Sequence, residues 1–340
     1  MSYIKLDINL FDEIKKKYRR LGNMFCTLTS NNNTVIAGSL SNEGLIYSED
    51  KGKTWHQSNI TSGNFFCLTV IGSTIIAGSW SNKGLIYSED NGKTWKQSDI
   101  ISGDFSCLTV IDNTVIAGSW FDEGLYYSED NGKTCNQSNI NTDDFRCLTS
   151  INNTVIASSF GNGLYYSEDK GKTWKESNIT SGVFYCLIVI DNTVIAGSNY
   201  VDGLYYSEDC GKTWKLSNIK SGSFSCLTTI GNTVIAGSNF NKGLIYSEDN
   251  GKTWKKSNNK HDNFMCLTTS SNTVIAGSYS NEGLYYSENK GKKWNKSNIT
   301  SGDFYSLAII DDILIASSNF RKSLYYSEDN GKTWNRSNID

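Results

Sequence analysis

The chain of 340 residues contains no proline, three methionines, two histidines and no run of about twenty apolar residues. The last absence leaves no segment built to cross a bilayer as a helix. The opening MSYIKLDINL is broken by Lys5, Asp7 and Asn9, so it lacks the apolar stretch of a signal peptide. His56 and His261 give little from which to build a Ser-His-Asp triad or a His-rich metal site, and no CxxC occurs, so no metal is expected. The 32 Lys+Arg and 35 Asp+Glu nearly cancel, leaving a net charge of -3. The basic field that nucleic acid or an anionic membrane requires is therefore missing, and neither partner is expected. The GKT triplets lie in turns and lack P-loop spacing and a following helix. No cofactor is expected.

Hydrophobic residues make up 38% of the chain and aromatics 12%, enough for a real core. The nine cysteines are an odd number, and Cys67, Cys107, Cys147, Cys186, Cys226 and Cys266 recur at one position of an apolar run. They read as small buried hydrophobes rather than disulfide partners, which favours a reducing, cytoplasmic setting. Triplets of the N-x-S/T type, as at Asn59, Asn178 and Asn298, arise readily in an Asn- and Ser-rich chain and are not read as glycosylation.

The dominant feature is repetition. Ser-Glu-Asp or Ser-Glu-Asn begins at Ser48, Ser88, Ser128, Ser167, Ser207, Ser247, Ser287 and Ser327, forty residues apart except for one step of thirty-nine. The missing residue falls near 160–163. One unit, residues 64–100, divides into four β-like runs: A (65–71), B (74–79), C (85–88) and D (93–98). β-branched and aromatic residues fill the runs, and Gly, Asn, Asp and Ser separate them. Runs A and B are the most apolar, and D is polar apart from its Trp. Four strands per forty residues, eight times over, predict an all-β, eight-bladed β-propeller of four antiparallel strands per blade. Run D suits a solvated outer edge.

Between runs C and D lies SEDNGKTW, residues 88–95. Asn91-Gly92 suits a hairpin turn, and Asp90 can accept from turn N–H groups. The stretch resembles the Asp box, or BNR repeat, of sialidase-like propellers, with its pattern Ser-x-Asp-x-Gly-x-Thr-Trp. The box carboxylates are Asp50, Asp90, Asp130, Asp169, Asp209, Asp249 and Asp329. Asn289 stands at this place in the seventh copy, where Lys293 also replaces Thr, and Cys135 replaces Trp in the third. Present eight times, the box reads as structural rather than catalytic.

Strand alternation puts the A–B and C–D connections on one face and the B–C and D–A connections on the other. The first pair hardly varies between repeats; the second pair does. Seven of the eight B–C loops carry an aromatic at the first or second position: Trp80, Trp120 with Phe121, Phe160, Tyr200, Phe240, Tyr279 and Phe320. These are the candidate ligand contacts, suited to stacking on sugars or gripping a peptide. The alternative is that they seal the gaps between blades. The resemblance implies that an active site, where present, lies on this same face.

A sialidase requires three arginines around the substrate carboxylate, a Tyr nucleophile with a Glu partner, an Asp acid and, usually, an Arg-Ile-Pro motif. A chain without proline lacks that motif, and its arginines are confined to Arg19, Arg20, Arg146, Arg321 and Arg336. No catalytic residue is assigned. Asp104, Asp122, Asp143, Asp144, Asp262 and Asp303 leave two-carboxylate glycoside hydrolysis open without selecting a pair. Near-identical blades favour a non-catalytic binding scaffold, multivalent and lectin-like, with a carbohydrate or protein partner. The alternatives are a glycoside hydrolase or sialidase-like enzyme using those carboxylates, and a protein-interaction hub. A monomer is expected.

Residues 1–22 fall outside the repeat, and 23–340 form the propeller. Ile4, Leu6, Ile8 and Leu10 alternate as in a strand, while Phe11, Ile14, Tyr18 and Leu21 have helical spacing. A short helix lying on the propeller is expected there. Because the repeats begin on A and end on D, ring closure is expected to rest on packing between the first and last blades, with no strand exchanged.

Overall fold

The computed structural model describes residues 25–80, 82–120, 123–198, 202–238, 242–259, 263–318 and 323–339. The expected N-terminal helix lies outside them. The described residues form eight four-stranded antiparallel blades, each in the order A-B-C-D. The second blade is typical: Phe65–Ile71, Thr74–Ser79, Leu85–Ser88 and Lys96–Gln97. Runs A, B and C match their strands. Run D shrinks to two residues, because Thr94 and Trp95 are held by the preceding turn instead of pairing.

Each A strand packs against the A strands of both neighbouring blades, the last against the first, so the ring is closed. Strand B of the second blade is buried along its whole length, because both its faces meet other blades; hence its continuous apolar run. The core is accordingly a set of slabs between blades. Ile36 of the first blade packs with Phe65, Ile75 and Trp95 of the second, and Ile116 of the third with Phe145, Val155 and Trp174 of the fourth. Strand B ends in small residues because the next blade is close. A Cβ on Gly78 would lie 2.5 Å from Cys67 Sγ and 2.8 Å from Phe105 Cβ.

The cysteines behave largely as expected. Cys67, Cys107, Cys186, Cys226 and Cys266 are buried, Cys147 is half-buried, and all described cysteines are free thiols. Burial pushes Cys107 and Cys226 up to about 12, which makes them inert.

The Asp box is a closed hydrogen-bond knot. Asp90 Oδ1 accepts from Ser88 Oγ (2.8 Å) and Thr94 N (2.9 Å), and Asp90 Oδ2 accepts from Thr94 Oγ1 (2.6 Å). Gly92 N donates to Ser88 Oγ (2.9 Å), and Trp95 Nε1 to Gly92 O (2.9 Å). In the seventh copy Asn289 Oδ1 keeps the bond from Lys293 N (2.8 Å), but Lys293 has no hydroxyl to give.

Each box is tied to the blade before it. Trp95 N donates to Asn59 Oδ1 (2.8 Å), and Asn59 Nδ2 returns a bond to Trp95 O (3.1 Å). The same clasp joins Asn139 to Trp174, Asn178 to Trp214, Asn218 to Trp254 and Asn298 to Trp334. Eight ion pairs run around this face between successive boxes, from Lys93–Glu49 (2.7 Å) to the closing pair Lys53–Glu328 (2.7 Å). All are exposed enough that each adds little alone.

Closure differs from the expectation. A strand does cross the seam: Asn338–Ile339 pairs in parallel with Thr54–Trp55 of the first blade. Asn338 N donates to Lys53 O (2.9 Å), and Ser337 Oγ to Gly52 O. The reason lies in the repeat. Asn59 N to Lys93 O (3.3 Å) and Asn298 N to Lys332 O (3.3 Å) are the same bond at other joints, so the Ser-Asn-Ile that follows most D strands is the inter-blade tie. Packing across the seam, with Phe25, Val35 and Trp55 against Ile310, Ile315 and Leu324, supplements it. Removing residues 338–340 is expected to cost about 1–2 kcal/mol, seen as a lower midpoint in urea. An unchanged midpoint would show that packing alone closes the ring.

Acid should loosen together the seven joints whose box carries an aspartate, the seventh box having Asn289 in its place. Burial alone would raise the box carboxyls, but the hydrogen bonds from the Thr N–H, Thr hydroxyl and Ser hydroxyl outweigh it and hold Asp50, Asp90, Asp130, Asp169, Asp209, Asp249 and Asp329 below the ordinary value. Their stabilisation is complete above the unfolded value of about 3.9 and is lost as pH falls through the folded values. The melting temperature should therefore drop steeply below about pH 4, measured by calorimetry.

Candidate binding face

The variable face is braced loop by loop. Asn42 N donates to Asn64 Oδ1 (2.7 Å) while Gly63 N donates to Asn42 Oδ1 (2.8 Å), locking a B–C loop to the next D–A loop. Asp104 does the same for Asn82 N (2.7 Å), and Asp303 for Asn281 N (2.7 Å). Two of the six candidate carboxylates are thus loop braces. Asp122 and Asp262 lie outside the described residues.

Of the candidate aromatics, Phe121, Tyr200, Phe240 and Phe320 also lie outside the described residues. Trp80, Trp120, Phe160 and Tyr279 are half-buried at the ends of their B strands. Three are anchored through the backbone: Trp80 N to Asn64 O (2.8 Å), Phe160 N to Asp144 O (2.7 Å) and Tyr279 N to Asn263 O (2.7 Å). Trp80 and Trp120, from adjacent blades, meet at 5.9 Å between centroids.

Two further members were not anticipated from the sequence. Phe66 lies 5.9 Å from Trp80 and 6.2 Å from Trp120. The Arg146 guanidinium carbon sits 3.3 Å from the Trp120 ring centre and 4.4 Å from that of Phe160. Phe66, Trp80, Trp120, Arg146 and Phe160 form one continuous stack across blades two to four. Across the ring, Tyr305 meets Tyr279 at 5.5 Å. Phe66, Arg146 and Tyr305 all occupy the second position of strand A, where the ladder skips a residue: Phe65 pairs with Ser79 and Cys67 with Gly78. The same irregularity frees Arg146 and Tyr305. A bulge releases the side chain from strand alternation. The signal was in the repeats: this position reads Cys26, Phe66, Ser106, Arg146, Tyr185, Ser225, Met265 and Tyr305, while the Phe before it never changes. Where the residue is small it closes inward, as Ser225 Oγ does on Phe264 O (2.6 Å).

The fourth blade departs most. Its B–C loop is one residue short, and its B strand runs on to Gly161, pairing Phe160 and Gly161 with Val183 and Gly182 of the fifth blade. Asp143 lies beside it, bonded to Ser159. It stands where Gly63, Gly103, Gly182, Gly222 and Gly302 stand at other joints, keeps a left-handed φ of 132°, and is buried. Its carboxylate accepts from Ser159 Oγ (2.8 Å) and Asp144 N (2.8 Å). Such a strained, buried carboxyl marks a specialised joint.

Among the described residues no group of three His, Cys, Asp or Glu is placed to hold a metal ion. Burial pushes the Asp143 carboxyl above its ordinary value, against the hydrogen bonds from Ser159, Asn162 and Asp144. The folded group then binds its proton more tightly than the unfolded one. The stability it contributes is present at low pH and is lost as pH rises through the folded value. Asp143→Asn is therefore expected to raise the melting temperature at pH 7 by a few degrees, with the gap narrowing towards pH 4. An equal gap at both pH values would exclude the charge as its cause.

The repeat family described as BNR/Asp-box repeat matches residues 86–97, 245–256 and 325–336. No curated protein matches the sequence. Among solved structures, the chain is similar to the computationally designed Ika8 protein at 11% identity and a TM-score of 0.71, covering 89% of this chain and 96% of that one. It is similar to YCF48 bound to D1 peptide at 14% identity and a TM-score of 0.58, covering 93% and 98%. An ancestral GH74 enzyme shares 13% identity at a TM-score of 0.54, covering 93% of this chain but 62% of that one. At these identities the likeness is one of fold. Together with the eight hydrogen-bonded boxes and their closed ring of blades, it identifies the chain as a BNR-type, Asp-box-repeat β-propeller.

Proposed function

We propose that the protein is a non-catalytic binding module that takes an extended segment of a partner protein on the face formed by its B–C and D–A loops. The observation that carries this is the stack of Phe66, Trp80, Trp120, Arg146 and Phe160, built where an otherwise repetitive chain stops repeating. Half-buried aromatics with guanidinium between them supply large contact area at low entropic cost. The stack spans neighbouring blades, which favours one asymmetric site over several equal lectin-like ones. A propeller of this fold bound to a peptide lends support. Against an enzyme stand the bracing duties of Asp104 and Asp303 and the use of Arg146 in stacking rather than in an arginine clamp.

Peptide display against the wild-type protein tests this reading. Selected peptides should bind Trp120→Ala about thirtyfold more weakly, roughly 2 kcal/mol for a central aromatic anchor. Equal binding to both proteins, or turnover of an aryl glycoside, would overturn it.

A further inference from the structure

The carboxylates beside the aromatic stack are treated differently from those between the Asp boxes. On the Asp-box face Glu49, Glu89, Glu129, Glu168, Glu208, Glu248, Glu288 and Glu328 each hold a lysine of the following box. Beside the aromatic stack the opposite holds. Asp104 is the cross-strand partner of Trp120, and Glu123 lies three residues beyond Trp120 in the same B–C loop. Neither has an ion-pair partner among the described residues. The repulsion is felt at Glu123: burial, and then the Asp104 carboxylate, push it above its ordinary value. A nearby cation would relieve both carboxylates at once.

The stack shows which cation it accepts. Arg146 already lies flat against Trp120 at 3.3 Å, a guanidinium–indole contact made within the chain. An aromatic platform with two uncompensated carboxylates beside it matches an arginine- or lysine-bearing chain through both charge and stacking.

We propose that the segment docked on blades two to four is basic, with an Arg or Lys side chain placed between the Trp80–Trp120 platform and the Asp104–Glu123 pair. This rests on the binding role proposed above and adds the sign of the ligand's charge. Asp104 keeps its brace to Asn82 throughout, and an asparagine would serve equally, since Asn64 makes the same bond in the neighbouring joint.

The test is a fluorescence-anisotropy titration of the full chain with a labelled Arg-Gly peptide, its Glu-Gly counterpart and a neutral Ser-Gly peptide. The Arg-Gly peptide should bind best, lose affinity between about 0.05 and 0.5 M NaCl, and bind about tenfold more weakly to Asp104→Asn/Glu123→Gln. These substitutions keep the hydrogen-bonding shape, and a melting temperature that is not lowered verifies folding. Preference for the Glu-Gly or Ser-Gly peptide, or Arg-Gly binding indifferent to the double substitution, overturns the basic ligand. If that binding still falls in Trp120→Ala, the functional reading survives. If none of the three peptides binds, the basic ligand is overturned, and the display experiment decides the functional reading independently.

Discussion

Every joint in this ring is made by an Asp-box turn lying across the blade before it. The turn needs glycine at its apex for two reasons. Gly92 takes a φ of 83°, and a Cβ there would come within 2.7 Å of Ile36 Cγ1 in the preceding blade. The carboxylate knot fixes the turn, the indole of Trp95 seals it, and the Asn59 clasp draws the two blades together. The buried B strand then finds apolar partners on both sides. Without that joint each four-stranded blade would expose two hydrophobic faces, which no isolated sheet of this size can bury.

A joint of this kind consumes one whole face. The C–D turns are boxes, and the A–B turns sit beneath the boxes of the next blade, as Asn31 does beneath Asn91 and Asp112 beneath Lys170. Change on that face disturbs two blades at once. The B–C and D–A loops are braced by local Asn and Asp hydrogen bonds that tolerate substitution, so variety collects there. Constancy on one side and variety on the other follow from one geometric fact.

How much was legible in the sequence follows the same division. Runs A, B and C were readable because burial between blades imposes an apolar, β-branched pattern of fixed length. Run D was overdrawn, since a Trp packed over a turn looks like a strand residue until the turn's hydrogen bonds are known. The seam strand escaped notice because Asn338–Ile339 is too short to show a period, although Ser-Asn-Ile recurs in most repeats as a tie between blades. Trp80, Trp120, Phe160 and Tyr279 are legible in their loops, whereas Phe66 and Arg146 show only as the variable residue after an invariant Phe. Both sit inside a strand, where alternation would bury them, and only a skipped rung in the ladder turns them towards the loops.

That skipped rung explains how a nearly eightfold-repetitive chain makes one distinctive place. The bulge gives each blade a side chain at the inner end of the variable face, free of the packing that constrains its neighbours. Serine there folds back on a backbone carbonyl; phenylalanine or arginine reaches the loop aromatics instead. Single substitutions at this position can therefore build or remove an aromatic surface with the joints untouched. The fourth blade carries this furthest: its B–C loop is one residue short and Phe160 pairs with the fifth blade, Asp143 accepts a hydrogen bond from Ser159, and Arg146 finds an aromatic on either side. Repetition supplies the stability against which such local departures are tolerated, and they cluster where the joints leave the chain free.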